Sequence, residues 1–261
     1  MKKQIILYYF TGTGNSLRIA QVMQSMFQKE GLKVSLLNIA EEKTLLLDLN
    51  HAIVGFCYPV YSFGMPRIVK NFMEKMPKAS GTEVFLGATN GGGIGSAVIQ
   101  GWKLLEKKGY VLLDSESIEM PNNYVVGRIP EEEECRKQVR AGEAKAEAFV
   151  QRLLAGGTKH IAKTGGLKGL LMAAASRGFT RYLPSMAKKF HTDENCNECG
   201  YCETICPTKS IILMEGEPKW LDTCEQCFRC INYCPRESIQ TYGKTKGKRR
   251  YKLLPFQEGQ K

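Results

Sequence analysis

The sequence contains no hydrophobic run long enough to cross a membrane. Its longest apolar stretch, around GLLMAAAS, is far shorter than the ~20 residues that a spanning helix needs. The amino terminus, MKKQIILYYFTGTG, has only six apolar residues before a polar, glycine-rich segment, which is too few for the core of a signal peptide. A cytoplasmic protein with no membrane span is therefore expected.

Histidine and acidic residues are both scarce. The three histidines, His51, His160 and His191, stand at a strand start or in linker sequence, where a solvated role is expected rather than metal ligation. The 37 Lys and Arg residues exceed the 26 Asp and Glu residues, so the formal net charge is +11. A surplus of this size suits nucleic acid, an anionic cofactor or an acidic protein partner, and charge alone does not choose among them.

Cysteine, by contrast, is plentiful and clustered. Most of the 10 cysteines lie between residues 196 and 234. In a cytoplasmic protein, clustered thiols indicate metal or redox chemistry rather than disulfides. The two outside that range are Cys57, in a predicted strand, and Cys135, at an acidic helix start; the simplest interpretation is that they are core or surface thiols.

The first 155 residues or so alternate between short apolar runs and helical segments. The runs are rich in β-branched residues, and several are apolar on both faces, as in strands inside a parallel sheet. Strands are predicted at 4–10, 33–39, 52–58, 83–89 and 110–120, and helices at 15–30, 66–76, 95–108 and 131–155. This order predicts a doubly wound α/β domain with a five-stranded parallel sheet.

The loop after the first predicted strand, TGTGNS, combines two glycines with four polar side chains. Backbone amides at a helix amino terminus bind anions, because the amides and the helix dipole both favour negative charge. No Lys follows Gly14, as a nucleotide-hydrolysing P-loop requires, and Leu17 stands where a dinucleotide fingerprint has its third glycine. The loop predicts a site for one phosphomonoester, with a polar turn and helix cap as the alternative. Its residues are Thr11, Gly12, Thr13, Gly14, Asn15 and Ser16.

Two further loops are expected to contribute, because ligands of such sheets lie at the carboxyl ends of the strands. Aromatic side chains after the third strand can lie against a flat ring, and glycines after the fourth let a planar ligand approach the backbone closely. The first loop supplies Pro59, Val60, Tyr61, Ser62, Phe63 and Gly64, and the second supplies Thr89, Asn90, Gly91, Gly92, Gly93 and Gly95. Together the three loops predict phosphate, ring and backbone contacts.

With these three loops, residues 1 to about 155 resemble the flavodoxin family. The resemblance implies a noncovalently bound FMN, with its phosphate at residues 11–16 and its isoalloxazine ring at 59–64 and 89–95. The loop after the fourth strand has no aromatic residue where many flavodoxins have a Tyr. Tyr124, in MPNNYVV, is a candidate substitute.

The second half of the chain repeats one cysteine pattern with an offset of 28 residues. The pattern Cys-x2-Cys-x2-Cys-x3-Cys-Pro occurs at Cys196, Cys199, Cys202 and Cys206, and again at Cys224, Cys227, Cys230 and Cys234. Structural zinc sites are the alternative, but they usually take two close pairs separated by a longer loop. Thiolates at every third residue favour iron-sulfur clusters instead.

Residues 191–242 resemble the two-cluster ferredoxins, in which the fourth cysteine of each motif ligates the other cluster. The resemblance implies one 4Fe-4S cluster on Cys196, Cys199, Cys202 and Cys234, and a second on Cys224, Cys227, Cys230 and Cys206. The insert between the motifs, SIILMEGEPKW, is predicted to form a hairpin.

Four segments are predicted along the chain. A flavodoxin-like FMN-binding domain at 1–157 is followed by a partly helical connector at 158–190, a small α+β ferredoxin domain at 191–242 and a basic tail at 243–261. The connector contains a possible interrupted amphipathic helix. The tail stretch GKTKGKRRYK carries six basic residues and no acid, which predicts a solvated segment.

The complete arrangement resembles the flavodoxin-ferredoxin fusion proteins of anaerobic bacteria. That resemblance implies an electron-transfer protein in which FMN and two clusters exchange electrons with external protein partners, which the basic surplus predicts to be acidic. The alternative is an enzyme in which FMN reduces a small-molecule substrate and the clusters only supply electrons. No His, Cys or carboxylate near the three loops has the placement of a general acid. Nucleic-acid binding rests on charge alone and is not expected.

Overall fold

The computed structural model describes residues 4–41, 49 and 51–253. Its amino-terminal part is built on five strands, β1 (Gln4–Tyr9), β2 (Val34–Asn38), β3 (Ala52–Pro59), β4 (Glu83–Asn90) and β5 (Val111–Glu119). They form one parallel sheet in the order β2-β1-β3-β4-β5. This is the strand order of the flavodoxin-like doubly wound sheet, so the predicted fold class is confirmed.

Helices cover both faces of this sheet. They are α1 (Asn15–Lys29), α2 (Arg67–Lys75), α3 (Ala97–Glu106) and α4 (Glu132–Leu154). On one face α1 and α4 bury a core that includes Phe85 and Phe149, and on the other α2 and α3 bury a core that includes Tyr8 and Phe72. Because both faces are covered, the strands need apolar residues at successive positions, which is the pattern that predicted them. Every predicted strand and helix of this part ends within two residues of its observed bound.

The connector contains a single long helix, α5 (Gly166–Ala187), which continues through Pro184 instead of being interrupted. The segment before α5 follows the sheet: the hydroxyl of Ser115, in β5, donates to the carbonyl of His160 at 2.8 Å and accepts from the amide of Ala162 at 2.8 Å. Ser176 and Leu183 are buried on the inner face of α5. The connector is therefore packed against the flavodoxin-like part of the chain.

The cysteine-rich part contains two short antiparallel strand pairs and two short helices. Its elements are β6 (Phe190–Thr192), α6 (Tyr201–Thr204), β7 (Ile211–Met214), β8 (Glu217–Trp220), α7 (Arg229–Tyr233) and β9 (Ile239–Thr241). Strand β6 pairs with β9, and β7 pairs with β8 across a tight turn. The β7–β8 pair confirms the hairpin predicted for the insert between the two motifs.

The repeat of 28 residues is also a repeat of backbone conformation. Equivalent positions share left-handed φ angles, which are uncommon outside glycine: 56° and 53° at Glu198 and Gln226, and 50° and 49° at Lys209 and Glu237. The two short helices α6 and α7 also begin at equivalent residues. The duplicated sequence therefore forms a duplicated structure.

The basic stretch after residue 242 is only partly solvated where the structure describes it: Lys244, Lys246 and Lys252 are exposed, as expected, whereas residues 248–251 are packed. The ammonium group of Lys248 donates to the carbonyl of Val126 at 2.6 Å, and Arg249 donates to the carbonyl of Pro130. The Tyr251 hydroxyl donates to the side-chain oxygen of Asn15 at 2.7 Å. Loop carbonyls need donors, and long basic side chains supply them here. Residues 254–261 lie outside the described residues.

Candidate functional site

A cavity of about 530 Å³ opens at the carboxyl edge of the parallel sheet, where the three predicted loops meet. All of the predicted loop residues line it except Gly14, Gly64 and Gly95. The lining set comprises Thr11, Gly12, Thr13, Asn15, Ser16, Pro59, Val60, Tyr61, Ser62, Phe63, Thr89, Asn90, Gly91, Gly92 and Gly93. The loops predicted from sequence are thus brought together by the fold.

The three glycines outside the lining shape the loops themselves. The amide of Gly14 donates to the Thr11 hydroxyl at 3.1 Å, which closes the turn into α1. A Cβ on Gly64 would lie 1.8 Å from the Ser176 hydroxyl of α5, so only glycine allows that close approach. Gly95 has a φ of 54°, and a Cβ there would lie 2.3 Å from the Phe63 carbonyl.

The hydroxyl groups of the first loop are buried and fixed by hydrogen bonds. Ser16 shares a hydrogen bond of 2.7 Å with Thr89, which joins the first loop to the carboxyl end of β4. The Thr13 hydroxyl accepts from the side-chain amide of Asn123 at 2.9 Å. The loop also leads directly into the amino terminus of α1, where amides and the helix dipole favour an anion. These features give the loop a defined shape with neutral donors.

Tyr61 is the most unusual side chain of the cavity. Its hydroxyl is buried and has no hydrogen-bond partner among the described residues. Burial raises the pKa of Tyr61 well above its usual value, and the neighbouring Cys227 adds to the rise. The hydroxyl is therefore protonated at neutral pH and is a donor without an acceptor. Such a group needs a bound partner to offset the cost of its burial.

The cavity also has lining residues that the sequence did not indicate. They come from the loop after β5, from α5 and from the second cysteine motif: Pro121, Asn122, Asn123, Phe179, Met186, Gln226 and Phe228. The candidate Tyr124 lines the cavity as well, and its ring meets that of Phe228 edge to face at 5.0 Å. The rule that ligands lie at the carboxyl ends of strands could have identified the β5 loop, whereas the others depend on how the parts of the chain pack.

All ten cysteines are free thiols. The cysteines of the two motifs form two groups, within which neighbouring thiols influence each other's pKa. In the first group, Cys199 and Cys234 oppose ionisation of Cys202, and burial is the main cause that raises the Cys202 pKa to about 11. In the second, burial and the neighbouring Cys206 raise the pKa of Cys227 to about 11. Cys196, Cys199, Cys202 and Cys234 also line one small cavity, so the first group combines three cysteines of one motif with the fourth of the other.

The remaining members of the second group behave in the same way. Burial raises the pKa of Cys224 to about 12, with Cys227 and Cys206 as contributing neighbours, and burial raises the pKa of Cys230 well above its usual value. The sulfur of Cys206 accepts a hydrogen bond of 3.2 Å from the amide of Ser210. Within the described ranges, no three His, Cys, Asp or Glu side chains are arranged to hold a metal ion.

The two groups differ in their exposure to solvent. Cys199 is exposed and Cys196 and Cys202 are half-buried, whereas Cys224 and Cys230 are buried. The second motif also lies against the first loop of the cavity, because a Cβ on Gly12 would be 2.7 Å from the Cys227 carbonyl oxygen. Of the remaining cysteines, Cys57 is buried in the core of the sheet, and Cys135 is buried in the same apolar cluster as Cys224, Cys230 and Cys234.

The chain shows structural likeness to flavodoxins. No protein-family model matches it, and no curated protein matches it in sequence. The flavodoxin of Streptococcus pneumonia TIGR4 is 15% identical, with a TM-score of 0.42 over 58% of this chain and 98% of that one. Oxidised Flavodoxin 2 from Bacillus cereus is 19% identical, with a TM-score of 0.40 over 57% and 99%. Two-electron reduced flavodoxin from Megasphaera elsdenii is 18% identical, with a TM-score of 0.38 over 55% and 99%.

The strand order β2-β1-β3-β4-β5 and the parallel register of this chain define its fold. Among the helices that the structure describes, none has both the length and the apolar character needed to span a membrane.

Proposed function

We propose that this protein transfers electrons between an FMN in the cavity, two 4Fe-4S clusters on the motif cysteines, and external protein partners. The main support for this proposal is that the flavodoxin-like sheet and the second cysteine motif line the same cavity. Three loops of the flavodoxin-like sheet form most of its wall, and Gln226 and Phe228, on either side of Cys227, also line it. A cofactor in the cavity would therefore adjoin a cluster-binding motif.

FMN fits the residues of the cavity. The first loop offers hydroxyls and helix-terminal amides for a phosphate, and Tyr61, Phe63 and Tyr124 offer rings beside the glycines of the loop after β4. The unpartnered hydroxyl of Tyr61 supports a bound polar group at this place. FMN supplies the capacity to hold one or two electrons, which matches it to one-electron carriers.

The motif cysteines suit two clusters although no three of the described side chains converge on one ion, because each thiolate of a 4Fe-4S cluster binds a different iron. Each group has four thiols, three from one motif and one from the other, which is the ligand pattern of two-cluster ferredoxins. The repeated left-handed residues, such as Glu198 and Gln226, give turns whose successive amides can face a sulfur-rich anion. The first group would hold a cluster on Cys196, Cys199, Cys202 and Cys234, and the second on Cys224, Cys227, Cys230 and Cys206.

The exposure of the two groups suggests an order for the clusters. The second group lies next to the cavity, so its cluster is called the inner cluster; the first group includes the exposed Cys199, so its cluster is called the outer cluster. We infer that a partner meets the outer cluster and that the inner cluster connects it with FMN. The net charge of +11 favours an acidic partner, because opposite charges steer the encounter.

A second candidate is an FMN-dependent reductase of a small molecule. It is favoured by the apolar side chains of Phe179 and Met186, which extend the cavity wall beyond the three loops and could contact a substrate. Screening the reduced protein against small molecules and protein acceptors separates the two candidates. Turnover of a small molecule supports the reductase, and exchange with proteins alone supports the carrier.

The cofactor content tests the proposal directly. Protein purified without oxygen should contain one FMN and about eight iron and eight sulfide per chain. Cys230→Ser should lower the iron and sulfide content, whereas Cys57→Ser, which changes a buried thiol in the core of the sheet, should not. Tightly bound zinc with no sulfide would contradict the cluster assignment, and a chain with no affinity for FMN would contradict the flavin assignment.

A further inference from the structure

The first loop of the cavity is held from behind by an arginine of the second cysteine motif. Arg229, which stands between Cys227 and Cys230, is buried. Its guanidinium donates to the carbonyl of Thr11 at 2.6 Å and to the carbonyl of Gly12 at 2.7 Å. A third hydrogen bond, 3.0 Å long, goes to the carbonyl of Ile205, next to Cys206. One side chain thus joins the loop to both cysteine motifs.

Two more side chains of α7 support the same loop. The hydroxyl of Tyr233 donates to the carbonyl of Thr13 at 3.2 Å. The side-chain amide of Asn232 donates to the carbonyl of Asn123 at 3.1 Å, and Asn123 in turn donates to the Thr13 hydroxyl at 2.9 Å. The carbonyls of three consecutive loop residues are therefore bound from the side of the cysteine-rich part.

The hydrogen bonds to the loop carbonyls also fix the direction of the loop amides. In a planar trans peptide the N–H points opposite to the carbonyl of the preceding residue. When Arg229 binds the carbonyls of Thr11 and Gly12, it directs the amides of Gly12 and Thr13 to the opposite side. A cation bound to the carbonyls also polarises these peptides and strengthens their N–H groups as donors. Arg229 does not itself line the cavity, so it acts through the loop.

The duplication shows that this support is particular to the second motif. The first motif has Tyr201, Thr204 and Ile205 at the positions of Arg229, Asn232 and Tyr233. The positions whose side chains reach the loop in the second motif therefore carry a different set of side chains in the first. Cluster ligation requires none of these three residues, because both motifs have the same cysteines.

We propose that Arg229 is the positioning residue of a phosphate site in the first loop, assisted by Tyr233. The inference rests on the proposed function in that the phosphate is taken to be that of FMN. The loop lacks a lysine or arginine of its own, and the cysteine-rich part supplies a positive charge behind it. The phosphate is bound by neutral donors, whose orientation depends on Arg229.

The test compares FMN with riboflavin, which has the same ring but no phosphate. In the wild-type protein FMN should bind more tightly than riboflavin. Arg229→Gln should weaken FMN about tenfold or more, as expected when charge-assisted hydrogen bonds are lost, and should change riboflavin binding much less. The FMN affinity of Arg229→Lys should lie between those of the wild type and Arg229→Gln. Lysine keeps the positive charge but lacks the planar guanidinium that binds two carbonyls at once. The control Arg236→Gln changes an exposed arginine of the same part and should leave the ratio of the two affinities unchanged.

Tyr233→Phe provides a second variant, since Arg229→Gln could also lose its clusters. It removes one hydroxyl and keeps the ring; because the amide of the peptide that it supports, Gly14, already donates to the Thr11 hydroxyl, it should weaken FMN less than Arg229→Gln does, with riboflavin unchanged. Iron and sulfide are measured in each preparation. If FMN preference over riboflavin stays at the wild-type value in both variants, the inference is wrong, although the proposed function survives. If the wild-type protein binds neither ligand, the proposed function itself fails.

Discussion

The carboxylate of Glu225 accepts a hydrogen bond of 2.9 Å from the backbone amide of Arg67 and one of 3.3 Å from its guanidinium. Glu225 follows Cys224, and Arg67 is the first residue of α2, so the pair joins the second cysteine motif to the flavodoxin-like part. The amide of Ile68 also donates to this carboxylate, at 3.1 Å. The side chain of Glu225 is only 4% exposed, so its charge depends on these partners.

Removing Arg67 should therefore destabilise the protein strongly. Arg67→Ala should lower the free energy of unfolding by about 3 to 5 kcal/mol, because it leaves a buried carboxylate without its cation. The control Lys70→Ala breaks an exposed pair with Glu74 and should cost about 1 kcal/mol or less. Urea denaturation measures both, and equal costs would contradict the role given to Arg67.

The stability of Arg67→Ala should also depend on pH. Burial raises the pKa of Glu225, and Arg67 opposes that rise, so the variant should have a still higher folded-state pKa. A carboxyl group with a raised folded-state pKa stabilises the fold while it is protonated, and that contribution is lost as the pH rises through the folded-state pKa. The difference between wild type and variant should therefore be larger at pH 8 than at pH 5. A difference that shrinks with rising pH would contradict this.

The phosphate assignment predicts a selective effect of the loop hydroxyls. Thr13→Ala should remove about 0.5 to 3 kcal/mol of FMN binding, because one hydrogen bond to a charged group is lost. Riboflavin binding should change little. The control Ser185→Ala removes an exposed hydroxyl on α5 and should affect neither ligand. If FMN and riboflavin bind the wild-type protein equally well, the loop is not a phosphate site.

The parts of the candidate site that sequence predicted are those set by the parallel sheet. The loops at Thr11, Tyr61 and Gly92 each follow a strand whose apolar pattern is readable, and parallel strands bring such loops to one edge. Phe179 and Gln226 could not be found in this way. They line the cavity because α5 and the second cysteine motif pack over the sheet, and no periodicity in the sequence specifies that packing.

The role of Arg229 could have been predicted by comparing the residues between the cysteines of the two motifs, and not the cysteines alone. When the two motifs are aligned by their cysteines, Arg229 and Tyr233 stand opposite Tyr201 and Ile205. Such differences mark where the two motifs have different neighbours in the structure.

The packing of Lys248 could not be predicted from the sequence for another reason. A run of basic residues has the same pattern whether its side chains donate to water or to loop carbonyls.

The exposed lysines near the end of the described chain should steer an acidic partner. Lys244 and Lys246 are exposed, so replacing both by Gln lowers the charge with the loss of one exposed ion pair, to Glu194, and without removing the contacts of Lys248 and Arg249. Reduction by an acidic donor protein should become slower at low salt and stay unchanged at high salt, since screening shortens to ~8 Å near physiological ionic strength. The control replaces the exposed Lys29 and Lys107 of the flavodoxin-like part by Gln, which removes the same charge elsewhere, and should slow the reduction less. An effect equal at both salt concentrations would exclude steering by these lysines.

In the proposed function, electrons reach FMN through the inner cluster. The most direct measurement is stopped-flow absorbance of the flavin after mixing with a low-potential donor that reduces the clusters first. Cys227→Ser alters the inner cluster and Cys199→Ser the outer one, with the remaining cluster of each variant verified by spectroscopy. Flavin reduction should be slowed more by Cys227→Ser than by Cys199→Ser, because Cys227 adjoins the cavity. Flavin reduction at the wild-type rate in both variants would show that FMN takes electrons directly from the donor and that neither cluster is a relay.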